Sequence, residues 1–205
     1  MTTRFDVKGI WQGETVAILG AGPDMTAELA EKARGYKTIA VNRAVKFAPW
    51  SDMFIALDPH HPFWEEADKL DFKGIRILGV EHDDYDAFYC GMWYETVQIS
   101  PNHTVQIRNN ALAAIRIAEK AGARKIILLG FDCERYESIH FHTGFYGLTQ
   151  GVDQIIVELR NKGIEIERID SETQYPGTRP VRRSEKINLS TFPEPKPIEK
   201  TKKRL

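Results

Sequence analysis

The sequence predicts an α/β fold in which a mostly parallel sheet carries helices on both faces, and three observations predict it. Short apolar runs recur along the chain, amphipathic helical patterns alternate with them, and each run stops at a cluster of glycine or polar residues. Strands buried on both faces read as continuous apolar runs, whereas strands with one wet face alternate, so the pattern fits a covered parallel sheet.

The first run, Thr15 to Leu19 (TVAIL), ends in Gly20-Ala21-Gly22-Pro23-Asp24 and is followed by a helical pattern through Leu29, Ala30 and Ala33. A strand, a tight turn and a helix are expected there. Thr38 to Val41 (TIAV), ending in Asn42, and Met53 to Leu57 (MFIAL), ending in Asp58-Pro59-His60-His61, are the next buried strands. Ile75 to Leu78 and Thr96 to Ile99 give weaker strand signals, separated by an aromatic-rich connection (Tyr85, Phe88, Tyr89, Trp93, Tyr94) with no clear period. Asn109 to Ala121 sets Leu112, Ile115, Ile117 and Ala118 on one helical face. It leads into Lys125 to Leu129 (KIILL), the strongest strand signal in the chain, closed by Gly130-Phe131-Asp132. After a long polar and aromatic loop, Gln150 to Asn161 reads as helix and Ile164 to Ile169 as the last strand. The alternation describes a Rossmann-like three-layer domain over residues 1–175. Its right-handed crossovers put every strand's carboxyl end on one edge, where ligands bind at the reversal of strand order.

Composition sets outer bounds. The 205 residues fit one domain, and 42% hydrophobic with 28% charged residues is ordinary globular usage. A formal net charge of -1 supplies no broad field for nucleic acid or an anionic membrane. Cys90 and Cys133, the only two cysteines, have neither metal-type nor framework spacing, so no structural disulfide is expected and a reducing cytoplasm fits. Met1 to Asp6 lacks the apolar run of a signal peptide, and no stretch approaches the roughly 20 apolar residues that span a bilayer. A cytoplasmic protein without a membrane partner is expected. Residues 176–205 form a basic, Pro-rich extended tail with nine Lys/Arg against three Asp/Glu, read first as a solvated segment and otherwise as the one place for nucleic-acid contact.

Four polar corners should converge on the ligand edge: Gly20 to Asp24, Asn42, Asp58 to His61 and Gly130 to Asp132. Gly20 and Gly22 allow a tight turn and close approach of backbone to a ligand, and Pro23 suits the first turn of a helix whose free N–H groups attract phosphate. The dinucleotide fingerprint fails, because Met25 takes its last glycine position and the second strand ends in Asn42 rather than an acid. No Walker A lysine follows either. Asn42 can donate to and accept from a base or ribose, or else cap the helix from Arg43 to Phe47. Asp58 and Asp132 can hold Mg²⁺ against phosphates or accept from sugar hydroxyls, with loop capping as the alternative. His140 and His142 alternate onto one side of an extended loop and titrate near working pH, which suits a general base or acid; a zinc site ranks well below. Arg108-Asn109-Asn110 combines a cation with free helix-terminal donors, for phosphate or as a plain Asn cap.

Taken together, Ile18-Leu19-Gly20-Ala21-Gly22-Pro23-Asp24, Ala40-Val41-Asn42-Arg43-Ala44, Ala48-Pro49-Trp50-Ser51-Asp52, Asn109-Asn110-Ala111 and Leu128-Leu129-Gly130-Phe131-Asp132 resemble small bacteriophage and prophage proteins. These in turn are similar to a Rossmann-like group that contains bacterial sialyltransferases using CMP-sugars, archaeal 6-hydroxymethylpterin diphosphokinases and motility-associated glycosylation factors. The resemblance runs over roughly residues 14–170, judged by motif order. It implies Gly20, Gly22 and Pro23 against nucleotide phosphates or ribose, Asn42 near the nucleotide, and Asp132 with His140 and His142 beside the reacting group. Asp24, where Ser or Thr is common, and Arg108-Asn109-Asn110, where a Gly-Asn-Ser-like turn is usual, depart from the pattern. The expected function is a nucleotide-dependent transferase, foremost a glycosyltransferase with a nucleotide-sugar donor. Pyrophosphoryl transfer from ATP to a pterin-like alcohol with Mg²⁺, or non-catalytic sequestration of a nucleotide-derived ligand, are the alternatives, and the aromatic stretch from Tyr85 to Tyr94 serves as core, acceptor platform or homo-oligomer contact.

Overall fold

The structure, a computed structural model, describes residues 3–4, 6–22, 25–58, 62–79, 87–89, 95–100, 103–107, 109–131 and 145–169. The elements run β1 (Thr3–Arg4), β2 (Thr15–Leu19), α1 (Ala27–Glu31), β3 (Lys37–Val41), a 3-10 turn (Asn42–Lys46), β4 (Met53–Ile55), α2 (Phe63–Lys69), β5 (Ile75–Leu78) and β6 (Phe88–Tyr89). They continue as β7 (Glu95–Ser100), β8 (His103–Ile107), α3 (Asn110–Lys120), β9 (Lys125–Leu129), α4 (Phe145–Asn161) and β10 (Glu165–Ile169). The tail expected over 176–205 lies outside the described residues.

Eight strands form one sheet in the order β1-β6-β5-β4-β3-β2-β9-β10, and every pairing in it is parallel. The fold is the expected α/β, Rossmann-like, three-layer arrangement. Successive side chains of a strand point to opposite faces, and the core divides accordingly. Val16 and Ile18 of β2, Ile39 and Val41 of β3, and Ile126 and Leu128 of β9 pack with Leu112, Ile115 and Ala118 of α3 and with Ile155 and Leu159 of α4. Ala17 and Leu19, Ala40, and Ile127 and Leu129 from the same strands pack on the other face with Met25, Leu29, Ala30 and Trp64. Strands covered on both sides need no polar positions, which is why TVAIL and KIILL read as unbroken apolar runs.

The run Thr96 to Ile99 departs from the parallel pattern. It belongs to β7, which pairs antiparallel with β8 as a separate two-stranded sheet, with Val97 opposite Val105 and an irregularity between Gln98 and Ser100. The sequence differs accordingly: Thr-Val-Gln-Ile alternates polar and apolar residues in both strands, unlike the unbroken apolar runs of the parallel sheet. The hairpin lies against α4.

Helices α3 and α4 are tied to each other by charge as well as packing. Arg116 of α3 donates to both carboxylate oxygens of Glu158 on α4, at 3.0 and 2.6 Å, and Lys162 donates to Glu158 and Glu119 at 2.7 and 2.6 Å. The Arg116 guanidinium, with Lys162 second, holds the Glu158 carboxyl at about 2, below its ordinary 4.5. A carboxyl depressed in the folded state stabilises the fold above its unfolded value and loses that contribution as pH falls toward the folded one. Among the described residues no helix is long and apolar enough to cross a membrane.

Glu158→Gln should therefore lower thermal stability slightly at neutral pH, by about 1 kcal/mol or less for so exposed a group. The gap between wild type and variant should close as pH drops from 4.5 toward 2, the interval set by the Glu158 shift. Circular-dichroism melts across that range would check it, and a gap that widens in acid would contradict the assignment.

Candidate functional site

Strand order fixes where a ligand can meet the sheet. β3, β4 and β5 succeed one another on one side of β2, whereas β9 and β10 lie on its other side. The order thus reverses between β2 and β9, and a crevice outside the carboxyl ends is expected at such a reversal. The described chain at this rim comprises residues 20–22 after β2, Asn42 and Arg43 after β3, and Gly130 with Phe131 after β9.

Gly20 is required by the approach of β9. Its N–H donates to the Leu129 carbonyl at 2.7 Å, and a Cβ at this position would stand 2.5 Å from the Gly130 carbonyl oxygen and 2.9 Å from the Phe131 ring. The Gly22 N–H donates to the Gly130 carbonyl at 3.1 Å. Gly130 itself takes φ +67°, the left-handed region that glycine enters without strain, and a Cβ there would meet Met25 Cε at 2.6 Å. The two loop glycines therefore bring one strand end against another, and two of the loop's N–H groups are spent on β9. Met25, 4% exposed, fills the space beside Gly130 that the dinucleotide fingerprint would leave to glycine. The helix that follows starts at Ala27, not Pro23, with the Thr26 hydroxyl accepting from the Leu29 N–H at 3.1 Å. Pro23 and Asp24 lie outside the described residues.

On the side away from β9, Arg43 closes the loop. Its Nε donates to the Ala21 carbonyl at 3.1 Å and its Nη2 to the Gly22 carbonyl at 3.2 Å. Beside it Asn42 sits at φ +53°, in the left-handed region where Asn is one of the few tolerated side chains. Asn42 opens the 3-10 turn but does not cap it: Val41 holds the cap position, with no side-chain cap bond. The Asn42 Oδ1 is buried and has no hydrogen-bond partner among the described residues. A buried acceptor left in that state costs about 1–3 kcal/mol, which a ligand donor would recover.

The other expected residues divide clearly. Asp58 is exposed just past β4, and its carbonyl accepts from the Trp64 indole N–H at 3.1 Å. Trp64 is fully buried edge-on to Phe54, with ring centroids 5.1 Å apart. Two strand spacings separate β4 from β2, about 10 Å, so Asp58 stands at the flank of the crevice rather than in it. Asn109 caps α3, its Oδ1 accepting from the Ala111 and Leu112 N–H groups at 2.7 and 3.4 Å. Asn110 reaches across the rim, and its Oδ1 accepts from the Leu57 N–H at 2.7 Å. Both carboxamide oxygens are thus committed to the fold. Asp132, His140, His142 and Arg108 lie outside the described residues. Among the described residues, no three His, Cys, Asp or Glu side chains come together as a metal site.

A concavity of about 690 Å³ lies at the opposite edge, by the amino ends of β4, β5 and β6, with Trp50, Asp52, Gly74, Arg76 and Phe88 among its walls. Its charged groups are already engaged. Asp52 accepts from the Thr38 N–H and hydroxyl at 2.8 and 3.0 Å, and Arg76 pairs with Asp68. Unspent polar groups favour the carboxyl edge over this concavity, and chemistry needs such groups. Arg43 is the rim residue that strand-end reasoning passed over; its signal was its place immediately after a polar strand end. Comparison of the chain with known protein families, with curated proteins and with solved structures finds no match.

Three outcomes follow for stability. Gly20→Ala should cost about 1–3 kcal/mol in urea denaturation, since the new methyl meets a backbone carbonyl that cannot step aside. Asn110→Ala should cost about 1–3 kcal/mol by stranding the Leu57 N–H. Asn42→Gly, which keeps the left-handed backbone and deletes an acceptor with no described partner, should leave stability unchanged or raise it; a loss as large as that of Asn110→Ala would show that the Asn42 carboxamide is structural.

Proposed function

We propose that the chain binds a nucleotide at the β2/β9 crevice and transfers a group from it, as a glycosyltransferase with a nucleotide-sugar donor. The observation that carries the reading is the Arg43 guanidinium bonded to the glycine loop that follows β2, the strand beside which the order reverses, with the unsatisfied Asn42 Oδ1 on the adjacent residue. A cation for an oxyanion beside a buried acceptor for an amino or hydroxyl donor is what a phosphorylated base or sugar presents in mirror image. The transfer itself is drawn from the resemblance of these loops to the sialyltransferase group. In that reading His140 or His142 takes the proton of the acceptor hydroxyl, Asp132 positions the donor, and the nucleotide leaves with the bonding electron pair. No step is assigned to a metal. The reading places the protein in the cytoplasm, with a small-molecule nucleotide as its partner.

Calorimetry with CMP, UDP, GDP and ATP, each with and without Mg²⁺, tests it together with mass spectrometry of small molecules released from the purified protein. At least one nucleotide should bind, and Asn42→Gly should weaken it about five- to tenfold, the worth of one buried hydrogen bond. Wild-type protein that binds none of them overturns the reading. AMP formed from ATP would redirect it to pyrophosphoryl transfer, and a ligand recovered unchanged in the presence of acceptor sugars would redirect it to sequestration.

A further inference from the structure

A nucleotide bound at this rim, as proposed above, needs a group that holds its phosphate. In a glycine loop that cradles phosphate, backbone N–H groups point at the anion. Here the Gly20 and Gly22 N–H groups are spent on the chain of β9, while the Ala21 carbonyl accepts from Arg43 and the Gly22 carbonyl from both Arg43 and the Met25 N–H. With those two donors spent, the loop backbone has little left to offer an anion. Arg43 supplies what the loop lacks. A guanidinium offers two forked edges, one formed by Nε with one Nη and the other by the two Nη atoms. The first edge is used up on Ala21 and Gly22, at 3.1 and 3.2 Å. What remains is the Nη1/Nη2 edge, whose two parallel N–H groups match two oxygens of a phosphate. No carboxylate pairs with Arg43 among the described residues, and the side chain is exposed at the rim.

We propose that Arg43 is the phosphate receptor of this site, gripping the glycine loop with one guanidinium edge and one phosphate group of a nucleotide with the other. The loop fixes the guanidinium in place before the ligand arrives, so little side-chain freedom remains to be lost on binding. Its neighbour Asn42, with Oδ1 buried and unbonded among the described residues, then takes a donor from the nucleoside part of the same ligand. Adjacent residues would read the two halves of one molecule, charge by Arg43 and hydrogen-bond pattern by Asn42.

The test compares nucleotide with nucleoside in the full chain: CMP with cytidine, UDP with uridine, GDP with guanosine and ATP with adenosine, by calorimetry on wild type, Arg43→Gln, Arg43→Lys and Asn42→Gly. The proposal expects Arg43→Gln to lose about ten- to hundredfold for the nucleotide that wild type binds and to leave the nucleoside nearly unchanged. Arg43→Lys keeps the charge but not the fork, so it should fall between the two. Asn42→Gly should weaken nucleotide and nucleoside alike. Should Arg43→Gln fail to fold, Arg43→Lys carries the comparison alone, with its melting temperature as control. A variant at Arg43 that binds nucleotide as tightly as wild type, or that loses nucleoside by the same factor, overturns the proposal while the nucleotide reading stands. Wild-type protein that binds no nucleotide removes both.

Discussion

The contact between Gly20 and Gly130 is the constraint on which the carboxyl edge depends. Strand β2 has β3 on one side and β9 on the other, although β9 arrives about a hundred residues later in the chain. Their carboxyl ends can run on together past the last paired residues only if neither backbone carries a side chain at the crossing. Gly20 removes one obstacle, Gly130 the other, and the hydrogen bonds from Gly20 and Gly22 to β9 extend the ladder into the loops. The rim takes its shape from that junction: the Ala21 and Gly22 carbonyls, the Arg43 guanidinium that donates to them, and the Met25 side chain packed beside Gly130.

The same junction changes what the glycine loop can do. Glycine-rich turns after a first strand are commonly read as anion cradles, and that reading assumes free N–H groups. In this chain the Gly20 and Gly22 N–H groups are consumed by the neighbouring strand and its loop, and the helix that would add its own donors starts only at Ala27 and spans five residues. Positive charge reaches the loop instead from the Arg43 side chain, which follows the neighbouring strand β3. Binding strength at such a rim would depend on ionic strength more than a backbone cradle does, because an exposed guanidinium is screened by salt.

Much of this architecture was legible in the residues. TVAIL and KIILL carry enough β-branched and leucine residues, bounded by glycine, that strands β2 and β9 match the expected limits, and Ile75 to Leu78 matches as well. Helix α2 was not legible: Phe63–Lys69 begins after proline without a side-chain cap and is too short for two apolar turns to show a period. The two-residue strands β1 and β6 leave no pattern to detect, and the β7/β8 ribbon was half seen because alternation marks a strand without naming its partner. At the site, residue type marked Asn42 and the two glycines, but the direction of their hydrogen bonds was not written in the sequence. Asn109 and Asn110 show the limit most plainly. Identical side chains in adjacent positions serve a local cap in one case and a partner 53 residues away in the other, and spacing cannot separate them.

That second bond also governs how the rim can move. The Asn110 side chain belongs to the first turn of α3, while the Leu57 N–H belongs to the chain leaving β4. Swinging the β4 loop outward would break the bond, bare a buried N–H and unseat the start of a helix whose far end is joined to α4 through Arg116 and Glu158. The β4 flank of the crevice is in effect a fixed jaw, and any closure around a guest has to be supplied from elsewhere on the rim.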